Sequence, residues 1–249
     1  MRLLALFLLV FLVSCASDTP DGKTEAEILY KEALELIDSD RLILATEKLN
    51  QIKSQHPYSY YATPAELLMA EVLFKQESYI EAAAAFLLFR DFHPKNEKIA
   101  YVVYMIGESY YKQLPDTIDR DLESGLEAIK YYQEVIDKYP GGEFQSKSQK
   151  RIVKINGMLK SKDRYIADFY FRTEVWQAAA YWYSDILERH PDDKSLRNEA
   201  MLRIVSSKME LKKWDECLEL SQKFSLEVDK KSGKKIEKIQ KSCEKKEIL

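Results

Sequence analysis

The 249-residue chain carries a formal charge of −3 and a calculated pI near 5.8, which excludes nucleic-acid binding driven by bulk charge. Seven glycines and seven prolines against 32% charged residues point to an all-α chain with short connections. Three cysteines are too few for a disulfide framework: Cys15 stands apart, Cys217 reads as a small core residue, Cys243 reads as an exposed tail thiol, and pairing of the last two is open at this level.

The N-terminus comes first in chain order. Met1-Arg2 supplies one positive charge, and residues 3–13 form an unbroken apolar run of eleven. That run is too short to cross a bilayer as a helix and fits the hydrophobic region of a secretory signal. It ends in Leu12-Val13-Ser14-Cys15, which resembles a bacterial lipobox. There the cysteine thiol takes the diacylglyceryl group, and its amine becomes the new N-terminus. The expected division is a signal peptide over 1–14 and a lipidated tether over 15–24, with palmitate-type chains on Cys15 anchoring the mature protein at ~0.8 kcal/mol per buried methylene. Asp18 lies too far from Cys15 to act as an inner-membrane retention residue, so outer-membrane sorting is permitted.

A repeat follows. Four long apolar-periodic runs close on Pro57, Pro94, Pro140 and Pro191. Twelve residues before each proline stands an alanine (Ala45, Ala82, Ala128, Ala179), and eight before stands a large residue (Leu49, Phe86, Tyr132, Tyr183). Five before stands an apolar one (Ile52, Phe89, Val135, Ile186). Those spacings put the three side chains on one helix face, and the proline ends the helix. Twelve residues before three of the alanines sit Ala33, Ala70 and Ala167; Gly107 is the counterpart in the third unit, ahead of an insertion of about nine residues. Trp214 and Cys217 mark a weaker fifth unit. Residues 146–160 are helical in pattern through Ile152, Ile155, Met158 and Leu159, so the first helix of the fourth unit should be extended. The prediction for 25–226 is a tetratricopeptide (TPR) α-solenoid of about five helical hairpins, irregular because the prolines are 37, 46 and 51 residues apart. Residues 227–249, with eight lysines against five acids, read as a Lys-rich tail that is either a terminal charged helix or a frayed, solvated end.

Chemistry-bearing motifs are missing from the sequence. His56, His93 and His190 each precede a helix-ending proline, where an imidazole complements the negative end of the helix dipole. There is no Gly-rich phosphate loop, no zinc-spaced cysteine pair and no nucleophile elbow, so no enzyme, metal or cofactor is expected. What remains is a binding groove built by the first helix of each hairpin. Position within the repeat assigns to it Tyr30, Leu34, Ile37 and Asp38; Leu67, Glu71, Phe74 and Lys75; Tyr104, Glu108, Tyr111 and Lys112; and Arg164, Asp168, Phe171 and Arg172. The last three sets share an acid, an aromatic three later and a base four later, a pattern suited to extended or partly folded peptides. The competing reading makes the charges i,i+4 pairs and packs the aromatics between hairpins.

Local strings carry a more specific likeness. His56-Pro57-Tyr58-Ser59-Tyr60-Tyr61-Ala62, Tyr101-Val102-Val103-Tyr104-Met105-Ile106-Gly107, Asp116-Thr117-Ile118-Asp119-Arg120-Asp121, Tyr139-Pro140 with Phe144, and Lys150-Arg151-Ile152 resemble the BamD (YfiO, ComL) family of outer-membrane assembly lipoproteins over nearly the whole mature chain. The shortened insertion before Asp116 and the Lys-rich end depart from it. The resemblance implies a protein of the β-barrel assembly (BAM) complex on the periplasmic face of the outer membrane. Its C-terminal repeats would dock the POTRA region of a BamA-like barrel protein, and its N-terminal groove would meet unfolded outer-membrane proteins. Asp119, Arg120 and Asp121, together with Arg164, Asp168, Phe171 and Arg172, would be partner contacts, or the insertion an internal loop clasp. Other TPR lipoprotein scaffolds, such as a pilotin for secretin assembly or a peptidoglycan-enzyme scaffold, remain alternatives.

Overall fold

A computed structural model describes residues 24–246. The signal peptide over 1–14 and the lipidation site Cys15 lie outside the described residues. Among the described residues there are eleven helices and no strand. The chain divides after Gln113 into two compact units.

The first unit holds α1 (Glu25–Asp38), α2 (Leu42–Gln55), α3 (Ala62–Lys75), α4 (Tyr79–Phe92) and α5 (Ile99–Lys112), each packed on the next. The second holds α6 (Glu123–Lys138), α7 (Glu143–Arg172), α8 (Trp176–Arg189), α9 (Lys194–Glu210), α10 (Trp214–Ser225) and α11 (Lys230–Lys245). As the periodicity over 146–160 predicted, α7 is one helix of 30 residues, about twice the length of its neighbours α6 and α8. It packs on both of them. Gly125 permits the approach of α6, since a Cβ there would lie 2.9 Å from Ile155 Cγ2 on α7.

The repeat positions form the core. Ala33, Ala70 and Ala167 on the first helices, and Ala45, Ala82, Ala128 and Ala179 on the second, are fully buried, as are Phe86, Tyr132 and Tyr183. Burying a side chain of that size contributes about 1.5–3 kcal/mol, and the alanines let the helix backbones come close enough for it to happen.

Four inter-helix turns share one geometry. Asp40, Glu77, Glu174 and Lys212 adopt left-handed backbone (φ 59°, 60°, 61° and 57°) seven residues after Ala33, Ala70, Ala167 and Val205. Each stops a helix by a Schellman closure, such as Glu77 N–H to Phe74 O (3.0 Å) and Ser78 N–H to Leu73 O (3.0 Å). Lys212 places Cys217 five residues later, the same offset that joins Glu77 to Ala82, so the fifth unit keeps the repeat register.

The three histidines do more than face a helix end. Each sits at the C-cap of a second helix and reaches a carboxylate on the first helix of the same hairpin. His93 Nε2 lies 2.7 Å from Glu66 and His190 Nε2 lies 2.9 Å from Asp163, whose other oxygen accepts from Arg189 at 3.1 Å. His56 stands off at 3.5 Å from Glu25.

The C-terminal segment corrects the expectation of a solvated tail. α11 packs on α9 and α10, burying Ile236, Ile239 and Cys243 in the same cluster as Ile204, Met209 and Phe224. Cys243 is therefore no exposed thiol: it is 1% exposed and disulfide-bonded to Cys217, which is fully buried. The sequence placed Cys217 correctly in the core. It missed Cys243 because lysine density masks the buried period of Ile236, Ile239 and Cys243.

Candidate peptide-binding groove

In the first unit, Tyr30 on α1 meets Tyr61, at the start of α3, with ring centroids 5.4 Å apart. Tyr60 stands edge-on to Tyr61, also at 5.4 Å. Pro57 has ended α2, and the turn that follows carries Tyr58 and Tyr60 outward, with Tyr58 fully exposed and Tyr60 85% exposed. These rings border a groove of about 320 Å³ lined by Tyr30, Tyr60, Tyr61, Leu67, Asn96 and Lys98. Leu34 is part-exposed on the same helix as Tyr30, whereas Leu67 is buried and contributes only at the groove floor. Ile37 packs against the first unit's core and Asp38 is exposed at the end of α1.

The acid–aromatic–base triplets are engaged inside the protein. The Tyr101 phenol bonds Glu71, and burial followed by that carboxylate pushes its pKa well above the usual tyrosine value. Burial and then Glu71 and Tyr61 also raise Tyr30. Phe74 packs edge-on to Tyr79 at 5.2 Å. Lys75 Nζ donates to the Ile37 carbonyl at 2.9 Å and pairs with Asp40 at 3.2 Å, so it caps the C-terminus of α1. On α5, Tyr104 and Tyr111 are half-buried, Glu108 is buried, and Lys112 is exposed with its ammonium 6.0 Å from the Tyr79 ring.

The second unit repeats the arrangement. Tyr183 donates to Asp168, and burial with this hydrogen bond raises the phenol. Phe171 lies 5.2 Å from Trp176 and 6.2 Å from Tyr183, with the Arg203 guanidinium 4.2 Å from its ring centroid. Arg164 pairs with Glu199 on α9 at 2.9 Å, and Arg172 Nε donates to the Asp168 carbonyl at 3.3 Å. So Phe74 and Phe171 pack between helices, as the competing reading had it. Glu71 and Asp168, however, bond tyrosine phenols from other helices rather than the bases four residues on. Sequence spacing within one helix could not show those phenols.

The insertion is tied to the helices beside it. Asp121 Oδ1 accepts from Glu123 N–H at 3.1 Å at the start of α6, and Lys162 of α7 donates to the Arg120 carbonyl. A hydrogen bond from Thr117, followed by its own backbone N–H, holds Asp119 below the usual carboxylate range. The Arg120 side chain remains exposed.

The aromatic border at Tyr60 and Tyr61 was not among the positions that repeat arithmetic assigned, because those residues lie in a linker rather than on a repeat helix. The signal that could have found them is local: three tyrosines in four residues directly after a helix-ending His-Pro.

Comparison with known proteins supports the family resemblance. The model of the YfiO family, described as outer membrane lipoprotein, matches residues 22–216. The chain is 30% identical over 220 residues to the outer membrane protein assembly factor BamD of Rickettsia prowazekii, covering 87% of each protein. It is 27% identical over 211 residues to the assembly factor BamD of Vibrio cholerae, covering 81% of this chain and 87% of that one. Among solved structures it is similar to the TPR2AB domain of yeast Sti1, covering 88% of this chain and 98% of that one at 15% identity and a TM-score of 0.45, a likeness too distant to bear on function. With the family match extending over most of its length, this chain of TPR-type helical hairpins belongs to the YfiO family of outer membrane lipoproteins.

Proposed function

We propose that the chain is a non-catalytic assembly factor for outer-membrane proteins, held through lipid on Cys15 at the periplasmic face of the outer membrane. In this reading it is a component of a β-barrel assembly complex. The tyrosine-bordered groove of its first unit receives unfolded outer-membrane proteins, and its second unit docks the POTRA region of a BamA-like barrel protein. The observation that carries the role is the 30% identity, over 87% of both chains, to a protein named as an outer membrane protein assembly factor.

The groove suits that work physically. Tyrosines offer large, rigid area with a polar tip at low conformational cost, so one surface accepts many sequences. A carboxylate acting as a general acid needs a raised pKa. Every carboxylate with a resolved shift among the described residues is instead lowered, by Thr117 at Asp119, Lys160 at Asp193, Lys208 at Glu216 and Ser232 N–H at Asp229. These shifts belong to caps and surface pairs.

Two measurements test the proposal. Affinity purification of the intact lipoprotein from membranes should recover a BamA-like barrel protein; recovery of a secretin in its place would overturn the assignment. Tyr30→Ala with Tyr60→Ala should weaken binding of a urea-diluted outer-membrane barrel protein at least tenfold with circular dichroism unchanged. Equal affinity in that folded variant would remove the groove from the mechanism.

A further inference from the structure

α11 is amphipathic in an unusual sense: its apolar side is sealed in the core, and its outward side is dominated by lysine. Residues 230–246 hold eight lysines and two glutamates, a net of +6 in a chain whose overall charge is −3. All eight lysines are exposed. At about 100° per residue the seven within the helix fall in one arc of about 140°, running about 22 Å along it, and Lys246 follows at its C-cap. Ile236, Ile239 and Cys243 lie on the opposite side, buried. Glu237 and Glu244 fall outside the arc, as does Asp229, which caps the helix by accepting from Lys231 and Ser232 N–H groups at 2.8 and 2.9 Å. Elsewhere in the chain lysines are commonly matched to acids: Lys31, Lys48, Lys138, Lys147 and Lys160 each lie within 3.0 Å of a carboxylate. Among the described residues, none of these eight lysines makes an ion pair or a side-chain hydrogen bond.

We propose that this lysine face rests on an anionic lipid surface, binding phosphate-bearing headgroups without inserting. Three observations select a bilayer over a folded acidic partner. The face contains lysine and no arginine, whereas elsewhere the same unit uses Arg164, Arg189 and Arg197 for directed pairs. Specific protein interfaces favour arginine and aromatic anchors and deplete lysine, while flexible ammoniums adapt to a laterally mobile array of charges. No aromatic or large apolar side chain lies within the cationic arc to fill a partner's pocket. Finally, with Ile236, Ile239 and Cys243 committed to the core, only headgroup contact is available, and membership of a family of outer membrane lipoproteins puts the chain beside such headgroups. A lysine close to an anionic membrane contributes about fivefold in partition at moderate salt.

The test uses the complete mature chain carrying Cys15→Ser, so that no acyl chain can anchor it, and co-sedimentation with vesicles. The protein should partition onto mixed phosphatidylcholine–phosphatidylglycerol vesicles, should ignore pure phosphatidylcholine, and should be released by high sodium chloride. Replacing Lys231, Lys234, Lys238, Lys241 and Lys245 by Gln should weaken partition more than roughly 100-fold with helicity and the disulfide intact. The same replacement at Lys31, Lys53, Lys95, Lys130 and Lys138 should leave it within about threefold, because those positions lie off this face. Inorganic phosphate should displace the protein no better than chloride at equal ionic strength; selective displacement would identify a free phosphate site and overturn the proposal. Equal partition of the five-lysine variant would also overturn it, and so would absent partition of the parent chain. A variant that keeps its partition but loses a co-purifying protein would assign the face to an acidic protein instead. None of these outcomes bears on the groove of the first unit.

Discussion

Reduction of the Cys217–Cys243 disulfide should loosen the C-terminal end of the second unit by about 3 kcal/mol. The bond closes a loop of 26 residues, and the loop-entropy relation assigns such a cross-link about 3.5 kcal/mol. Without it, α11 depends on a thin buried face. Ile236 and Ile239 contribute together about 4 kcal/mol. Against them stand seven lysine–lysine pairs at i,i+3 or i,i+4, costing together about 2 kcal/mol at low salt. The cross-link is therefore of the same size as everything else holding the helix. The assay is urea unfolding of the oxidised protein, the protein in reductant, and the double variant Cys217→Ala with Cys243→Ala, alongside limited proteolysis. The last two should unfold at a lower urea midpoint and should be clipped in the 226–230 connection. Indistinguishable midpoints, or two alkylatable thiols in the unreduced protein, would refute the reasoning.

Three further outcomes follow from the turns, the clasps and the caps. Glu77→Gly and Glu174→Gly remove a Cβ from left-handed backbone and should each stabilise by about 0.5–1 kcal/mol, after allowing for the larger unfolded-state entropy of glycine. Ala84→Gly, at an exposed position inside α4, should instead cost about 1 kcal/mol in the same thermal melts. Asp163→Ala strips the partner from both Arg189 and His190 and should cost about 2–3 kcal/mol in urea unfolding, while Glu25→Ala, which loses only the longer contact to His56, should cost less than about 0.5. Asp229 is held below its ordinary pKa by the Ser232 N–H and other donors at the start of α11, so its cap is fully present above the ordinary carboxylate value and is lost as pH falls through the depressed one. Helix content read by circular dichroism should fall over that acidic range, and Asp229→Asn should keep its helicity there.

The groove assigned from repeat positions shows where sequence logic stops. Ala33, Ala45, Ala70, Ala82, Phe86, Tyr132 and Tyr183 are buried where the spacing put them, because helix periodicity is a local property and each hairpin must bury the same stripe. The aromatics at Phe74 and Phe171 obey the period too, but period does not distinguish a ring facing a ligand from one facing the next helix. That depended on Tyr79 and Trp176, which follow across a left-handed turn.

The sequence by itself determined the helical hairpins, their register, the insertion between α5 and α6 and the continuous α7, all set by short-range spacing of small, large and helix-ending residues. Only the tertiary structure decided which charges are free. Glu71 and Asp168 are taken up by Tyr101 and Tyr183, Lys75 closes the end of α1, and the lysines of α11 are left unmatched over a buried disulfide. Those pairings join residues from 15 to 38 positions apart, and a hydrogen bond or a disulfide is fixed by distance and direction in space rather than by periodicity along the chain.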